Sequence, residues 1–438
     1  MIKNEFVIRI NSDDKFSVDN VSIDYNLEQH STFTYTFWNN TFDSLPHFFS
    51  KVGLDLFYIS LAVFGVDRVV SRDKAQDCWT RNIRLYIPVL EIEKWIENKL
   101  LLESILDFLS GDKWDIEFRS REFTEKEIEA KKRIEEFNGE KINKETICMF
   151  SGGLDSFIGA IDLLHEQSSV NNLLFVSHYG GGKGVREYQK FLSEKLIDHY
   201  GLTLDHFKSF FASAKRGVEN TTRTRSLMFF SHAIVIATGM EEQVNLLIPE
   251  NGLISLNIPL TNSRLGSSST RTTHPYYMRL LQRLINNLKI NVSINNPYQF
   301  KTKGEMIQEC RNIEFLKENL NYTMSCSHPD QGRMDGETET LHCGYCLPCV
   351  IRRASILKAE IEDGSRYRDR DFTSGPTAKT NLKSYNIGIS KHNKKYVFLK
   401  IQNSGPIETN IEQFIGVYNR GMEELSSLLE EYNEEVLS

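Results

Sequence analysis

An apolar run ends in a glycine turn and a hydroxyl-rich helix start in the stretch Thr146-Ile147-Cys148-Met149-Phe150-Ser151-Gly152-Gly153-Leu154-Asp155-Ser156. Apolar residues at helical spacing follow, so the pattern predicts a strand, a tight turn and a helix N-terminus. Adjacent glycines permit positive φ angles, and such a turn points consecutive N–H groups toward one place. The helix start adds free N–H groups and the positive end of its dipole, which makes a polyphosphate the natural ligand.

Side chains of the same turn offer further phosphate ligands. Ser151 and Ser156 can donate hydroxyl hydrogen bonds, and Asp155 can hold a Mg²⁺ ion that bridges phosphate oxygens. No Gly-Lys-Ser/Thr follows, which excludes a Walker motif. The stretch resembles the PP-loop of ATP pyrophosphatases, a family that splits ATP into AMP and pyrophosphate. The resemblance implies that ATP is bound by Ser151, Gly152, Gly153, Leu154, Asp155 and Ser156.

Composition and charge narrow the class of protein. The chain has 438 residues, of which 40% are hydrophobic and 25% charged, which is typical of a globular protein with two or three domains. A net charge of −7 argues against general coating of nucleic acid, although a local basic patch stays possible. The first residues lack a signal-peptide pattern, and the apolar run over residues 56–66 is too short to cross a membrane. We therefore expect a cytoplasmic protein.

The pattern divides the chain into four segments. Residues 1–120 mix strand and helix signals and predict an N-terminal α+β domain, in which the charged segment 67–81 reads as a solvated loop. Residues 121–144 read as a charged linker, and residues 145–362 as the PP-loop domain. Residues 363–438 form a C-terminal extension with a possible strand over residues 395–401 and an amphipathic helix over residues 410–432.

The PP-loop domain is predicted to be an α/β fold. Apolar strands alternate with helices from residue 145 onward, and this order favours a parallel sheet with helices on both faces. In such a sheet the ligand lies beyond the carboxyl ends of the strands. The expected strands are residues 145–150, 173–176, 204–207 and 245–248, and the expected helices are residues 155–166, 184–200 and 225–243.

Four of the seven cysteines lie between residues 326 and 349, namely Cys326, Cys343, Cys346 and Cys349. Without an export signal, this spacing favours a metal site over disulfides. Four thiolates suffice for a closed tetrahedral Zn²⁺ site of structural type, which is the expected role. A [4Fe–4S] cluster is the alternative, and His328 or His342 could replace one ligand.

The phosphate loop followed by Cys…Cys-Gly-x-Cys-x-x-Cys and Arg352-Arg353 resembles the 7-cyano-7-deazaguanine synthase (QueC) family over residues 145–360. The resemblance implies that ATP activates the carboxylate of 7-carboxy-7-deazaguanine as an adenylate. Ammonia then forms the amide, and a second ATP dehydrates the amide to the nitrile. In that family the zinc site is structural.

Further nucleotide contacts are predicted at the ends of strands and the starts of helices. Ser177 and Tyr179 end the second strand, which in PP-loop proteins lies beside the adenosine. Arg225 begins a helix, where a cation opposes the dipole unless a phosphate binds there, and Arg223 could act likewise or lie in a solvated turn. The QueC resemblance supports Arg225.

Lys303 is the last nucleotide candidate. The Thr302-Lys303-Gly304-Glu305 stretch resembles one in the QueC family, which makes Lys303 a candidate ligand of the pyrophosphate. A capping box between Thr302 and Glu305 is the structural alternative, and both roles can hold together. Asp155, Lys303 and Arg225 thus form the predicted catalytic set.

The substrate end departs from the family pattern. Glu250 could read the N–H edge of a guanine-like base, and Arg264 or Arg271 could bind a carboxylate. The family lacks the long segment before the phosphate loop and the extension after the cysteines. This long form resembles QueC-like proteins of bacterial anti-phage systems, QatC of the Qat system among them. That resemblance implies a role in defence and a protein partner from the same system, whose amine could accept the activated base.

Three functions stay open at this point. The first is a carboxylate-activating ligase that passes a deazaguanine to ammonia or to a protein amine. The second is a PP-loop enzyme that modifies tRNA, which the acidic net charge and the lack of a cysteine pair outside the metal cluster disfavour. The third is a non-catalytic nucleotide-binding subunit that assembles a complex through residues 1–140.

Overall fold

The computed structural model of the chain describes residues 3–11, 13–18, 22–166, 170–180, 183–260, 271–332, 336 and 339–432. Its strands and helices are, in chain order, β1 Lys3–Arg9, β2 Ile23–Asn26, β3 Phe33–Tyr35, α1 Lys51–Val69, β4 Asn82–Val89, α2 Ile92–Glu97, α3 Lys99–Ser110, β5 Lys113–Ser120, α4 Glu125–Glu136, β6 Thr146–Met149, α5 Leu154–Glu166, β7 Leu173–Tyr179, α6 Lys183–Tyr200, β8 Phe207–Ala214, α7 Arg225–Ala237, β9 Val244–Leu247, α8 Gly252–Leu256, α9 Pro275–Asn287, β10 Val292–Asn295, α10 Lys303–Gln308, α11 Ile313–Asn319, α12 Leu347–Lys358, α13 Pro376–Ser390, α14 Val397–Ser404 and α15 Ile411–Leu429.

A six-stranded sheet in the order β10-β9-β6-β7-β8-β3 carries the phosphate loop. All neighbouring pairs are parallel except β3 and β8. On β6, Ile147 and Met149 pack in the core that contains α7, whereas Cys148 and Phe150 pack on the opposite face with Phe157 of α5. The predicted parallel sheet with helices on both faces is therefore confirmed, and it is compatible with a PP-loop fold.

The N-terminal region forms a second sheet and also contributes to the first. Strands β2-β1-β4-β5 are all parallel to their neighbours. Strand β3 adds to the edge of the six-stranded sheet, where Phe33 is paired with Ala214. Core residues of α1 and α7, such as Ile59 and Ile234, belong to one hydrophobic cluster. A separate N-terminal domain stays a prediction, because these contacts join the two parts of the chain.

A buried ion network lies within the segment 67–81, which was expected to be a solvated loop. Arg81 lies 2.5 Å from Asp67 and 2.6 Å from Asp112, and Arg72 lies 2.8 Å from Asp112. All four side chains are almost fully buried. The expectation holds for residues 73–78, which are exposed except for the partly buried Ala75. It was wrong for Asp67, Arg72 and Arg81, because their charges and that of the distant Asp112 neutralise one another, so that burial becomes possible.

The C-terminal extension is helical and packs against the cysteine-rich segment. Residues 395–401 were expected to form a strand, but α14 occupies most of this stretch because Val397 and Ile401, four residues apart, both point into the core. The amphipathic helix predicted near the C-terminus is confirmed as α15. The charged linker contains α4, whose Ala130 and Ile134 are buried.

Candidate functional site

The phosphate loop joins the end of β6 to the start of α5. Gly152 has a φ of +79°, a conformation that side chains other than glycine rarely adopt. A Cβ atom at this position would lie 2.9 Å from Cγ of Gln189, so the loop also needs glycine for space. The Met324 N–H donates to the Gly152 carbonyl at 2.8 Å, which ties the loop to the segment before the first cysteine.

The loop serines form a short hydrogen-bond chain. Ser151 Oγ donates to Ser156 Oγ at 3.1 Å, and Ser156 Oγ donates to the Gly153 carbonyl at 2.9 Å. The Gly153 N–H donates to Ser151 Oγ at 3.3 Å, and the Leu154 N–H donates to Ser325 Oγ at 3.4 Å. Ser151 is solvent-exposed, so its hydroxyl and the loop N–H groups can exchange these weak bonds for bonds to a phosphate.

Asp155, in the first turn of α5, is the charged centre of the site. Lys303 Nζ lies 3.1 Å from its Oδ1 atom, and Asn251 Nδ2 donates to its Oδ2 atom at 2.7 Å. Lys303 begins α10, where Thr302 and Glu305 form the capping box that was the structural alternative. The helix cap and the ion pair therefore occur together, and the cap fixes where the lysine lies.

Glu250 lies at the carboxyl end of β9, beside this ion pair. Its carboxylate accepts a hydrogen bond from Thr273 Oγ1, which lies 2.8 Å from Ser255 Oγ. The Asn296 side chain donates to the Glu250 carbonyl at 2.8 Å. Burial raises the pKa of Glu250 to about 7, and the negative charge of Asp155 acts in the same direction. Glu250 can therefore accept or donate a proton near neutral pH.

A cavity of about 220 Å³ lies on the other side of Thr273 and Asn296. Tyr276 and Arg279 of α9 line one side, and the segment 406–410 of the C-terminal extension lines the other. The cavity is therefore adjacent to the polar network around Glu250, and the C-terminal extension forms part of its wall.

Of the two arginines predicted to bind a carboxylate, Arg271 lies within the described residues. Arg271 stacks on the Phe108 ring, with 4.2 Å between its guanidinium carbon and the ring centroid, and donates to the Phe108 carbonyl. It thereby fastens α3 to the start of α9. Arg264 lies outside the residues that the structure describes. Their role in substrate binding stays a prediction.

The two candidates at the end of β7 differ in their contacts. Ser177 is buried and its Oγ donates to the Phe150 carbonyl at 2.6 Å, so it supports the phosphate loop from beneath. Tyr179 is partly exposed, and the Arg186 guanidinium stacks on its ring at 4.8 Å. Only Tyr179 of the two presents a surface on which a base could stack.

Arg223 and Arg225 at the start of α7 also differ. Arg223 stacks on the Trp79 ring at 4.7 Å and donates to the Ser110 carbonyl at 2.8 Å, so it is neither a free ligand nor in a solvated turn. Within the described part of the chain, the Arg225 side chain makes no hydrogen bond or ion pair. Burial lowers the pKa of Arg225, and the positive charge of Arg68 adds to this effect.

Two residues of the site were missed by the sequence reasoning. Gln189 of α6 donates from Nε2 to the carbonyls of Ser151, at 3.0 Å, and His178, at 3.1 Å. No motif indicated this glutamine. Asn251 caps α8 through a hydrogen bond from the Ile254 N–H at 3.0 Å. An asparagine directly before a helix start is a usual capping signal, so Asn251 could have been found.

The four predicted cysteines do come together. Their Sγ atoms all lie within 4.8 Å of one another. The pairs Cys326–Cys346 and Cys343–Cys349 are each separated by 3.9 Å. A tetrahedron with zinc–sulfur bonds of about 2.3 Å has edges of about 3.8 Å. The cluster therefore fits a metal ion such as zinc. Hydrogen bonds from neighbouring thiols, that of Cys326 foremost, hold the pKa of Cys346 well below its usual value.

Backbone geometry supports the cysteine cluster. The N–H groups of Cys343 and His328 each donate to Cys326 Sγ at 3.3 Å, as is usual around metal-bound thiolates. Gly344 has a φ of +90°, and the Asp369 carbonyl lies where a Cβ would be.

Among the described helices, none is long and apolar enough to cross a membrane.

Comparison with known proteins adds a relationship to about half of the chain. No family model matches. The chain is 26% identical over 257 residues to the 7-cyano-7-deazaguanine synthase of Methanococcus aeolicus, covering 51% of this chain and 99% of that protein. It is 35% identical over 78 residues to the synthase of the same name from Methanocaldococcus jannaschii, covering 17% of this chain and 31% of that protein. It is 29% identical over 100 residues to the synthase of the same name from Syntrophobacter fumaroxidans, covering 21% of this chain and 38% of that protein. These modest identities support a QueC-like relationship.

Proposed function

We propose that this protein is a QueC-like enzyme that uses ATP to adenylate a carboxylated 7-deazaguanine, such as 7-carboxy-7-deazaguanine, and then transfers it to an amine. The observation that carries the proposal is the Lys303–Asp155 ion pair beside the phosphate loop, at the carboxyl edge of a parallel sheet. The similarity to 7-cyano-7-deazaguanine synthases supports a 7-deazaguanine as the class of base.

The proposed chemistry has two steps. A carboxylate oxygen of the base attacks the α-phosphorus of ATP, and pyrophosphate leaves. The amine nitrogen then attacks the acyl carbon, loses a proton, and AMP leaves with the electron pair of the broken C–O bond. The protein mainly positions the reactants and stabilises the charge on the departing pyrophosphate. Lys303 and Arg225 supply positive charge, and the loop N–H groups hold the phosphate chain.

Asp155 fits the expected Mg²⁺ ion because, among the described residues, the contact of its Oδ1 atom is an ion pair with Lys303. A Mg²⁺ ion bound there supplies charge neutralisation on the phosphate oxygens. Lys303 is then available to move from the carboxylate to the pyrophosphate. Asn251 keeps the other carboxylate oxygen in place through its hydrogen bond.

The base is proposed to lie next to Glu250. The carboxylate of Glu250 can accept N–H groups from a guanine-like edge. The cavity beside Thr273 and Asn296 is the adjoining space. Two amines are proposed as acceptors: ammonia gives an amide, which a second ATP can dehydrate to a nitrile, and a protein amine gives a conjugate. A role in anti-phage defence and a partner protein from that system stay predictions.

ATP–pyrophosphate exchange tests the proposal. Purified protein is incubated with Mg-ATP and labelled pyrophosphate, with and without 7-carboxy-7-deazaguanine. We expect label to enter ATP only when the base is present, and Asp155→Asn to abolish the exchange. Exchange that occurs without the base, or that a tRNA substrate elicits in its place, would refute the proposed substrate. Absence of exchange under every condition would favour the non-catalytic scaffold.

A further inference from the structure

Two arginines without acidic partners meet where α1 ends and α7 begins. The helices run antiparallel, since the N–H of Ser50, which caps α1, donates to Thr238 Oγ1 at the end of α7 at 3.0 Å. Arg68 lies in the last turn of α1, and Arg225 is the first residue of α7. Of the described contacts, the Arg68 side chain makes one hydrogen bond, to the Thr221 carbonyl at 3.1 Å, and the Arg225 side chain makes none.

The neighbouring carboxylates are already engaged. Asp67 lies 2.5 Å from Arg81 and accepts a hydrogen bond from Thr224 Oγ1 at 2.9 Å. Glu219 accepts a hydrogen bond from the Arg72 N–H at 3.0 Å. In the part of the chain that the structure describes, the positive charge at the junction of the two helices is therefore not balanced by a carboxylate.

Two buried side chains, each with one polar atom that lacks a partner in the described part of the chain, lie against the same end of α1; the other ring nitrogen of His178, Nε2, lies 3.4 Å from the Ala212 carbonyl. The hydroxyl end of Tyr25 packs on Gly65, three residues before Arg68 and hence on the same helix face. The His178 ring packs edge-on against Phe64, with 6.5 Å between ring centroids. Tyr25 is 3% exposed and His178 is 1% exposed, and neither the Tyr25 hydroxyl nor His178 Nδ1 has a hydrogen-bond partner among the described residues.

The same histidine connects to the start of α7. Its ring lies 6.0 Å from that of Phe229, which is one turn after Arg225 on the same helix face. Burial lowers the pKa of His178 well below its usual value, and the charge of Arg225 acts in the same direction. Tyr25, Arg68, His178 and Arg225, from four separate segments, thus all lie near the junction of α1 and α7.

The place is next to the phosphate loop. The Gln189 side chain donates to the carbonyls of both His178 and Ser151, so a single side chain spans the two. Buried polar groups without partners cost free energy, and two close cations in a buried setting repel each other. A water molecule could satisfy the hydrogen bonds but not the charge, whereas an anion would satisfy both.

We propose that Tyr25, Arg68 and Arg225, beside His178, form a phosphate-binding site, here called the Arg68–Arg225 site, between the N-terminal region and the six-stranded sheet. Guanidinium groups form paired hydrogen bonds to phosphate oxygens, and the start of α7 adds its dipole. The source of the phosphate is either the phosphate chain of ATP, in which case the inference rests on the proposed function, or a separate phosphate compound. The site gives the N-terminal region a direct part in ligand binding.

Anion-dependent thermal stability tests the site without turnover. The melting temperature is measured with sodium pyrophosphate and with sodium chloride of equal ionic strength, for the wild type, Arg68→Gln, Arg225→Gln and the control Arg283→Gln. Arg283 is an exposed residue of α9. We expect pyrophosphate to stabilise the wild type and the control, and each site variant to bind it at least about tenfold more weakly. Without pyrophosphate, Arg68→Gln should melt no lower than the wild type, because a repulsion between cations is removed.

Full stabilisation of Arg68→Gln by pyrophosphate would overturn the proposal, as would a wild type that pyrophosphate does not stabilise. Should Arg68→Gln fail to fold, Arg68→Lys is the alternative variant. It keeps the positive charge but loses the planar guanidinium, so pyrophosphate should stabilise it less than the wild type. Repeating the series with Mg-ATP separates the two sources: weaker ATP binding in Arg68→Gln assigns the site to the nucleotide, and unchanged ATP binding assigns it to a separate phosphate. Asp155→Asn should leave pyrophosphate binding at Arg68 detectable even where it abolishes exchange.

Discussion

The Lys303 ammonium lies 3.1 Å from the Asp155 carboxylate, so one ion pair joins the N-termini of α10 and α5 at the phosphate loop. Both side chains are largely buried, with 5% and 12% of their surfaces exposed. A buried pair of this kind contributes little net stability, because the loss of hydration offsets most of the attraction. Its position beside the loop N–H groups is better explained by ligand binding: the lysine can bind a polyphosphate, and the carboxylate can bind the cation that accompanies the polyphosphate.

The first prediction concerns this lysine. Lys303→Met should lower the kcat of ATP–pyrophosphate exchange at least about a hundredfold, because it removes a positive charge from the departing pyrophosphate. The matched control is Lys301→Met, since Lys301 is two residues away and forms a more exposed pair with Glu309. Initial-rate kinetics of both variants check the prediction. Equal rates for the two variants would remove Lys303 from the reaction.

The second prediction concerns the metal. The purified protein should contain one zinc ion per chain, and Cys346→Ser should lose it and melt at a lower temperature, because structural zinc sites contribute directly to folding. Cys78→Ser, at an exposed cysteine outside the cluster, should keep the metal. Elemental analysis and thermal melts provide the readout. Iron with sulfide in the place of zinc would favour the cluster alternative.

The third prediction concerns Glu250, whose pKa burial raises to about 7 from an ordinary value of 4.5. A raised carboxyl pKa means that folding favours the protonated form, so the stability it supports is present below pH 4.5 and is lost as the pH rises through about 7. Between pH 5 and pH 8, wild type should lose about 2 to 3 kcal/mol relative to Glu250→Gln. Urea titrations at both pH values measure this.

The exposed Glu187 provides the control for this pH effect. Glu187→Gln should follow the wild type at every pH. If Glu250→Gln and wild type kept a constant difference in unfolding free energy from pH 5 to pH 8, Glu250 would not titrate in this range, and its proposed contact with the base would involve an ordinary carboxylate.

The fourth prediction concerns the buried ion network of the N-terminal region. Arg81→Leu leaves Asp67 and Asp112 without their shared partner, so the unfolding free energy should fall by about 3 to 5 kcal/mol. Arg133→Leu, which breaks an exposed pair with Asp43, should cost less than about 1 kcal/mol. Denaturant unfolding followed by fluorescence and circular dichroism compares the two. An equally small loss for both variants would show that the network is not needed for folding.

The phosphate loop and the metal cluster could be predicted because their information is local. The φ angle at position 152 requires glycine, and Cys343, Cys346 and Cys349 lie within seven residues of the sequence. Cys326 was added on spacing alone, and the structure places its sulfur 3.9 Å from that of Cys346. Patterns of this kind do not depend on how distant segments pack.

Other parts of the site could not be predicted because they depend on packing between distant segments. Arg271 was expected at the substrate, but it stacks on Phe108 of α3, which no local pattern indicates. The loop around Arg81 looked solvated because its neutralising Asp112 is remote in the sequence. Residues 395–401 are rich in the residue types that strands favour, and the burial of Val397 and Ile401 on one face favours the helix instead.

The account depends most on the claim that a carboxylate of the base is joined to the α-phosphate of ATP. Isotope transfer tests it directly: 7-carboxy-7-deazaguanine labelled with ¹⁸O in its carboxylate is incubated with the protein, Mg-ATP and ammonia, and the nucleotide product is examined by mass spectrometry. The account predicts AMP that carries one ¹⁸O atom from the carboxylate. Unlabelled AMP, or ADP as the product, would contradict it.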